Sequence, residues 1–210
     1  MSLWAIVPVK PLRRGKSRLA EVLTEEQRIE LNQRMLAQTV DILHKVKGVE
    51  NVLVVSRDPE ALSVAREHDA RTLLENGNPN LNVALTRASV VAKAYGVHGV
   101  LIVPADLPLM EPDDIQKMIE LGNSNPCVVI APDRHCEGTN ALLVAPPDLM
   151  KFDYGSGSFE RHCKRARQAD ARLEVYEIDS LALDVDWPED LDLLSKSLRV
   201  EIGVMELSWD

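Results

Sequence analysis

Apolar residues along this chain fall alternately into short continuous runs and helically spaced stripes. Residues 3–9 form a run rich in β-formers, the pattern of a strand buried on both faces. Thr24-Glu25-Glu26-Gln27 then has the form of a capping box, and Leu31, Met35, Ile42, Leu43 and Val46 recur at helical spacing up to Gly48. A second buried strand is predicted over 51–56. Asp58-Pro59 opens a helix that reaches about His68, and a brief strand follows over 71–74. After a turn-rich segment, Leu81, Ala84, Leu85, Ala88, Val91 and Tyr95 mark an amphipathic helix, and 99–103 is the next strand. A helix over 112–121 precedes strands over 127–131 and 141–145. Helix 158–167, strand 173–178 and a short helix over 188–195 complete the pattern.

This alternation predicts an α/β fold: one domain over residues 1–197, built as a three-layer sandwich around a mainly parallel mixed sheet. Residues 198–210 are left as a strand or tail, and monomer and homodimer both stay open. In such folds ligands lie beyond the carboxyl ends of the strands, which directs attention to Val9, Asp106, Ala131 and the stretch after Ile178.

A length of 210 residues suffices to bury a core without disulfides or structural metal. A net charge of −9 argues against a nucleic-acid partner. The three cysteines, Cys127, Cys136 and Cys163, lack a CxxC spacing and read as reduced thiols of a cytoplasmic protein. No apolar run is long enough to span a membrane.

Against that acidic background, five of the nine residues from Lys10 to Arg18 are basic. Following the first strand, Lys10, Lys16 and Arg18 could hold a triphosphate and neutralise charge as pyrophosphate leaves. Gly15 would let the backbone approach phosphate. Gly15-Lys16-Ser17 looks like the end of a P-loop, but that motif needs a glycine where Lys10 stands, and it is rejected.

Asp106 lies at a strand end between Pro104 and Pro108, a rigid frame suited to Mg²⁺. Asp184-Val185-Asp186 is read as following a strand, so that both carboxylates face one way and grip metal together with Asp106. Glu189 and Asp190 are assigned to the start of the next helix. Gly138-Thr139-Asn140 and Gly155-Ser156-Gly157-Ser158 are small hydroxyl-rich loops that could hold an anionic acceptor, with Ser158 as an N-cap. The segment from Asn76 to Asn82 could read a purine edge, although a loop and helix cap explains it equally well. The five histidines show no ligand spacing and are read as structural.

Taken in order, six segments resemble the 2-phospho-L-lactate guanylyltransferase family, which includes the phosphoenolpyruvate guanylyltransferases of coenzyme F420 biosynthesis. They are residues 8–19, Leu81-Asn82-Val83-Ala84-Leu85, Pro104-Ala105-Asp106-Leu107-Pro108, Gly138-Thr139-Asn140-Ala141-Leu142, Gly155-Ser156-Gly157-Ser158-Phe159 with His162, and Asp184-Val185-Asp186 with Pro188-Glu189-Asp190. The resemblance implies a glycosyltransferase-A-like nucleotidyltransferase fold and transfer of GMP from GTP to a small phosphorylated three-carbon acid. It further implies metal binding by Asp106, Asp184 and Asp186, and acceptor binding by Thr139, Gly155 and Ser158. GTP would be held by Lys10, Lys16, Arg18 and Asn82, with Lys16, Arg18 and Asp106 as the catalytic set. Alternatives are transfer to another acceptor (3-phosphoglycerate or a sugar phosphate), a nucleotide-binding sensor without catalysis, and a glycosyltransferase using a nucleotide sugar.

Overall fold

The computed structural model describes residues 2–77, 79–194, 198 and 202. One seven-stranded sheet runs through them in the order β3-β2-β1-β4-β6-β5-β7. The strands are β1 (Leu3–Pro8), β2 (Val49–Ser56), β3 (Arg71–Leu74), β4 (Gly99–Ile102), β5 (Cys127–Pro132), β6 (Thr139–Ala145) and β7 (Arg172–Val175). All pairings are parallel except those of β6, which runs antiparallel to both β4 and β5. The reversal brings the first residue of β6, Thr139, to the edge where the parallel strands end.

The two-residue alternation of the pleat sorts strand side chains to two faces. Ala5, Val54, Leu101, Val129 and Leu143 enter one core with α1 (Glu25–His44), α2 (Pro59–Glu67) and α4 (Pro112–Leu121). Ile6, Leu53, Ile102, Ile130 and Leu142 enter the other with α3 (Leu81–Ala94) and α5 (Ser158–Gln168). The expected three-layer sandwich is therefore present. The capping box is formed as read: Thr24 N–H donates to Gln27 Oε1 at 2.8 Å, and Gln27 N–H donates to Thr24 Oγ1 at 3.3 Å. Asp58 caps α2 through Glu60 N–H at 3.0 Å.

Several boundaries differ from expectation. β7 stops at Val175, and a short helix α6 (Asp179–Ala182) follows it, so Asp184-Val185-Asp186 trails a helix rather than a strand. Ser158 does not cap α5; Gly157, with φ 70°, does, and Ser158 is the first helical residue. The left-handed backbone favours glycine at that point. The last short helix, α7, spans Pro188–Asp192.

A third, smaller cluster lies beneath the basic loop. Leu19, Leu31, Met35, Leu183, Val185 and Leu191 join in it, with Ile202 buried and Leu198 packed alongside. Ile202 N–H donates to Leu198 C=O at 3.0 Å, a helical rather than strand contact; the rest of 198–210 lies outside the described residues.

Candidate active site

The charged half of the site is assembled from three separated segments. Beyond β1 the chain makes two short 3-10 turns, Leu12–Arg14 and Ser17–Glu21. Leu12 anchors the loop from both sides of its own backbone. Its N–H donates to Asp58 Oδ2 at 2.8 Å, and its C=O accepts from Asn32 Nδ2 at 2.8 Å. Gly15 serves this anchor: a Cβ there would lie 2.5 Å from Asn32 Nδ2. Its backbone is extended (φ −66°), so the close approach it permits is to Asn32. The left-handed residue of the loop is its neighbour Lys16, at φ 56°.

That geometry turns Lys16 inward. Its side chain is 5% exposed, and Nζ lies 3.0 Å from Asp106 Oδ2 and 3.4 Å from Asp186 Oδ1. Burial alone would lower the ammonium's pKa; Asp106, Asp186 and Asp184 outweigh it and hold the pKa above the ordinary lysine value. Arg18 Nη1 meets Asp186 Oδ2 at 3.4 Å, and its guanidinium stacks 4.4 Å above the Trp187 ring. Lys10, Arg13 and Arg14 are exposed, with Arg13 3.5 Å from Glu25.

The carboxylate segments are fixed by backbone. Val185 N–H donates to Asp106 C=O at 3.1 Å, while its side chain is fully buried in the third cluster. The residue between the two aspartates is thus the anchor, which leaves Asp184 and Asp186 on the side facing Lys16. Burial, then the charges of Asp106 and Asp186, push the Asp184 pKa up to about 6. Asp190 Oδ2 accepts from Asp186 N–H at 2.8 Å and Trp187 N–H at 2.7 Å, and Asp190 Oδ1 lies 2.7 Å from Arg134 Nη2. Asp190 therefore does serve the helix start, and in doing so it fixes Asp186. Asn140 Nδ2 donates to Leu181 C=O at 2.9 Å and Ala182 C=O at 3.2 Å, holding the end of α6 just before Asp184.

These three carboxylates fit a hard divalent cation in chemistry, because they are oxygen donors on rigid supports and one is already strained toward protonation. They are not drawn together as a closed cage: among the described residues, no group of three or more His, Cys, Asp or Glu is arranged to hold an ion. The Lys16 ammonium stands among them.

The second half of the site begins where β6 begins. Thr139 Oγ1 lies 2.9 Å from His162 Nδ1, and the Ser158 hydroxyl donates to Thr139 Oγ1 at 3.3 Å. All three residues are buried. The adjoining loop, 153–157, is tied to α5: Asp153 N–H donates to His162 Nε2 at 2.9 Å, and Asp153 Oδ2 accepts from Arg165 Nη2 at 2.5 Å. Arg161 Nη2 donates to Asp153 C=O at 2.9 Å, and Gly155, at φ 129°, turns beside Arg161. Asn82 spans to the same loop: its Oδ1 accepts from Tyr154 N–H at 2.7 Å and its Nδ2 donates to Tyr154 C=O at 3.2 Å. A carboxamide engaged at both ends is a structural clamp on the loop. His162 lies one helical turn past Ser158, which puts both on the face toward Thr139, a pairing that ligand spacing along the sequence does not register.

Along the sheet edge, the basic loop after β1, Asp106 after β4 and Thr139 at the start of β6 come in the order of the strands themselves. The sheet edge thus presents a buried lysine, clustered carboxylates and a hydroxyl-lined corner side by side. Solved structures agree on the fold: a putative nucleotide-diphospho-sugar transferase from Desulfovibrio desulfuricans superposes with a TM-score of 0.74 at 16% identity, covering 94% of this chain and 88% of that one. The chain belongs to the family described as "Guanylyl transferase CofC like", which it matches over residues 3–195. It is 43% identical over 201 residues to the phosphoenolpyruvate guanylyltransferase of Rubrobacter xylanophilus, covering 96% of this chain and 97% of the relative. It is 34% identical over 186 residues to the 2-phospho-L-lactate guanylyltransferase of Methanocaldococcus infernus, covering 89% and 81%.

Proposed function

We propose that the protein transfers GMP from GTP to the phosphate of phosphoenolpyruvate or 2-phospho-L-lactate, releasing pyrophosphate, a step of coenzyme F420 biosynthesis. The observation that supports it best is the pairing, on one sheet edge, of the Lys16–Asp106–Asp186 cluster with the Thr139–Ser158 corner. The first half suits a metal-bound triphosphate and the second an anionic acceptor.

In this reading an acceptor phosphate oxygen attacks the α-phosphorus of GTP in line. The new O–P bond forms as the bond to the bridging oxygen breaks, and pyrophosphate leaves with that electron pair. The attacking oxygen is already anionic, so no general base is required, and positioning and charge neutralisation supply the rate. Thr139 and Gly155 hold the acceptor, and Ser158 contributes through the hydroxyl it donates to Thr139. Lys16 and Arg18 exchange their carboxylate partners for phosphate oxygens, joined by Lys10 from the loop's exposed start. Asn82 acts through its clamp on Tyr154, which couples the start of α3 to the acceptor loop. Mg²⁺ would be held by Asp106, Asp184 and Asp186, and when bound it supplies charge neutralisation at the phosphates. The free thiols of Cys127, Cys136 and Cys163 suit a reducing cytoplasm, and no helix among the described residues is long and apolar enough to cross a membrane.

The test is pyrophosphate release from GTP and Mg²⁺ with each acid in turn, with the next enzyme of the route present to trap a labile product. Release that requires an acceptor, prefers GTP to ATP and CTP, and is lost in Asp106→Asn supports the reading; the better acid names the acceptor. Release only with 3-phosphoglycerate or a sugar phosphate would reassign the acceptor. Nucleotide binding without release under any condition would favour a sensor.

A further inference from the structure

His162 is fully buried, and its two ring nitrogens have different partners. Nε2 faces the backbone N–H of Asp153 at 2.9 Å. A backbone amide can only donate, so Nε2 must be the unprotonated acceptor. A neutral imidazole then carries its proton on Nδ1, which donates to Thr139 Oγ1 at 2.9 Å. The Ser158 hydroxyl brings a second donor to the same oxygen at 3.3 Å. Two donors occupy both lone pairs of Thr139 Oγ1, so its own hydrogen must point elsewhere. Ser158 Oγ cannot receive that hydrogen while its own hydroxyl donates across the same 3.3 Å contact.

The surroundings keep the ring in this state. Burial pushes the His162 pKa down to about 4; Asp153 opposes this, and Arg161 and Arg165 add to it. The Tyr154 ring packs edge-on at 4.8 Å and brings no charge. Protonating Nε2 would set two N–H groups against each other at Asp153.

We infer that His162 is a positioning residue of the acceptor site: held neutral with its proton on Nδ1, it makes the Thr139 hydroxyl an obligate hydrogen-bond donor toward a bound anionic oxygen. Its proton does not move during the reaction. This rests on the reading of the Thr139 corner as the acceptor site. It adds a reason why a threonine suffices there: a hydroxyl with both lone pairs filled offers an anion its hydrogen and no repelling lone pair.

Two measurements test it. The first is histidine nitrogen NMR on the wild-type protein. His162 is expected as the neutral Nδ1–H tautomer from pH 5.5 to 8, with its Nδ1 resonance moving when the acceptor acid is added. An Nε2–H tautomer, or titration near the ordinary histidine value, overturns the inference. The second is steady-state kinetics. His162→Gln offers an acceptor near the Nε2 position but no donor at Nδ1; His162→Asn places an amide donor near Nδ1. The Gln variant should raise the acceptor KM about tenfold or more while the GTP KM and kcat stay within about threefold, and the Asn variant should recover most of that loss. Thr139→Val combined with His162→Gln should be no worse than Thr139→Val alone. An unchanged acceptor KM in folded His162→Gln, equal damage by both variants, or multiplying effects in the double variant each overturn it. Failure of the underlying reading looks different: the wild-type protein would then show no acceptor-dependent pyrophosphate release at all.

Discussion

The Nζ of Lys16 lies 3.0 Å from Asp106 Oδ2, a buried ammonium standing where three carboxylates from two distant segments face one another. The site thus contains its own cation before any ligand arrives. Removing it leaves uncompensated negative charge in a partly desolvated place, which a divalent ion can relieve. Lys16→Met is therefore expected to bind Mn²⁺ without nucleotide about tenfold more tightly than wild type, by calorimetry or electron paramagnetic resonance. Its turnover should fall by about a hundredfold or more, because in the proposed reaction Lys16 neutralises phosphate charge. Equal Mn²⁺ affinity in the two proteins would show that ammonium and metal ion do not compete.

Asp184 carries a folded-state pKa of about 6 against an ordinary 3.8. A raised pKa means the folded protein binds this proton more tightly than the unfolded chain. Its contribution to stability is therefore fully present below pH 3.8 and lost as pH rises through 6. Asp184→Asn should raise the Tm at pH 8 by about 2–4 °C and show no such gain near pH 4, while pyrophosphate release collapses. A lower Tm at pH 8 would show that the carboxylate is held by stabilising partners instead.

His162 has the opposite sign. Its pKa falls from 6.5 to about 4 on folding, so the unfolded chain takes up the proton first. The associated stability is present above pH 6.5 and lost as pH falls toward 4, by about 3 kcal/mol across that window. Urea unfolding of wild type and His162→Asn at pH 7 and 4.5 measures the difference directly, with other titrations common to both. Parallel pH dependences would contradict it.

Gly15 leaves the space that Asn32 needs to reach Leu12. Gly15→Ala should displace Asn32, loosen the basic loop and lower kcat/KM for GTP by about tenfold. Because the clash is with Asn32 itself, adding Gly15→Ala to Asn32→Ala should cost little more than Asn32→Ala alone. Independent, multiplying losses would point to a direct role for the Gly15 backbone at the ligand.

Apolar runs and helical stripes along the sequence determined the order of strands and helices, because burial on both faces of a sheet demands continuous hydrophobic runs. Local chemistry determined the Thr24 capping box and the Asp58 cap, which depend only on near neighbours. Residue type also marked Lys16, Asp106, Asp184, Asp186, Thr139 and Ser158 as chemistry-bearing. Tertiary structure alone decided how they meet. The antiparallel course of β6, fixed by pairing with β4 and β5, carries Thr139 to the edge that Asp106 occupies. The burial of Val185 and its bond to Asp106 turn the two aspartates toward Lys16. The roles of Gly15, Asn82 and His162 depend on Asn32, Tyr154, and Thr139 with Asp153, partners brought close only by the folded chain. A linear pattern records which face of an element is buried; it does not record which distant polar atom waits there.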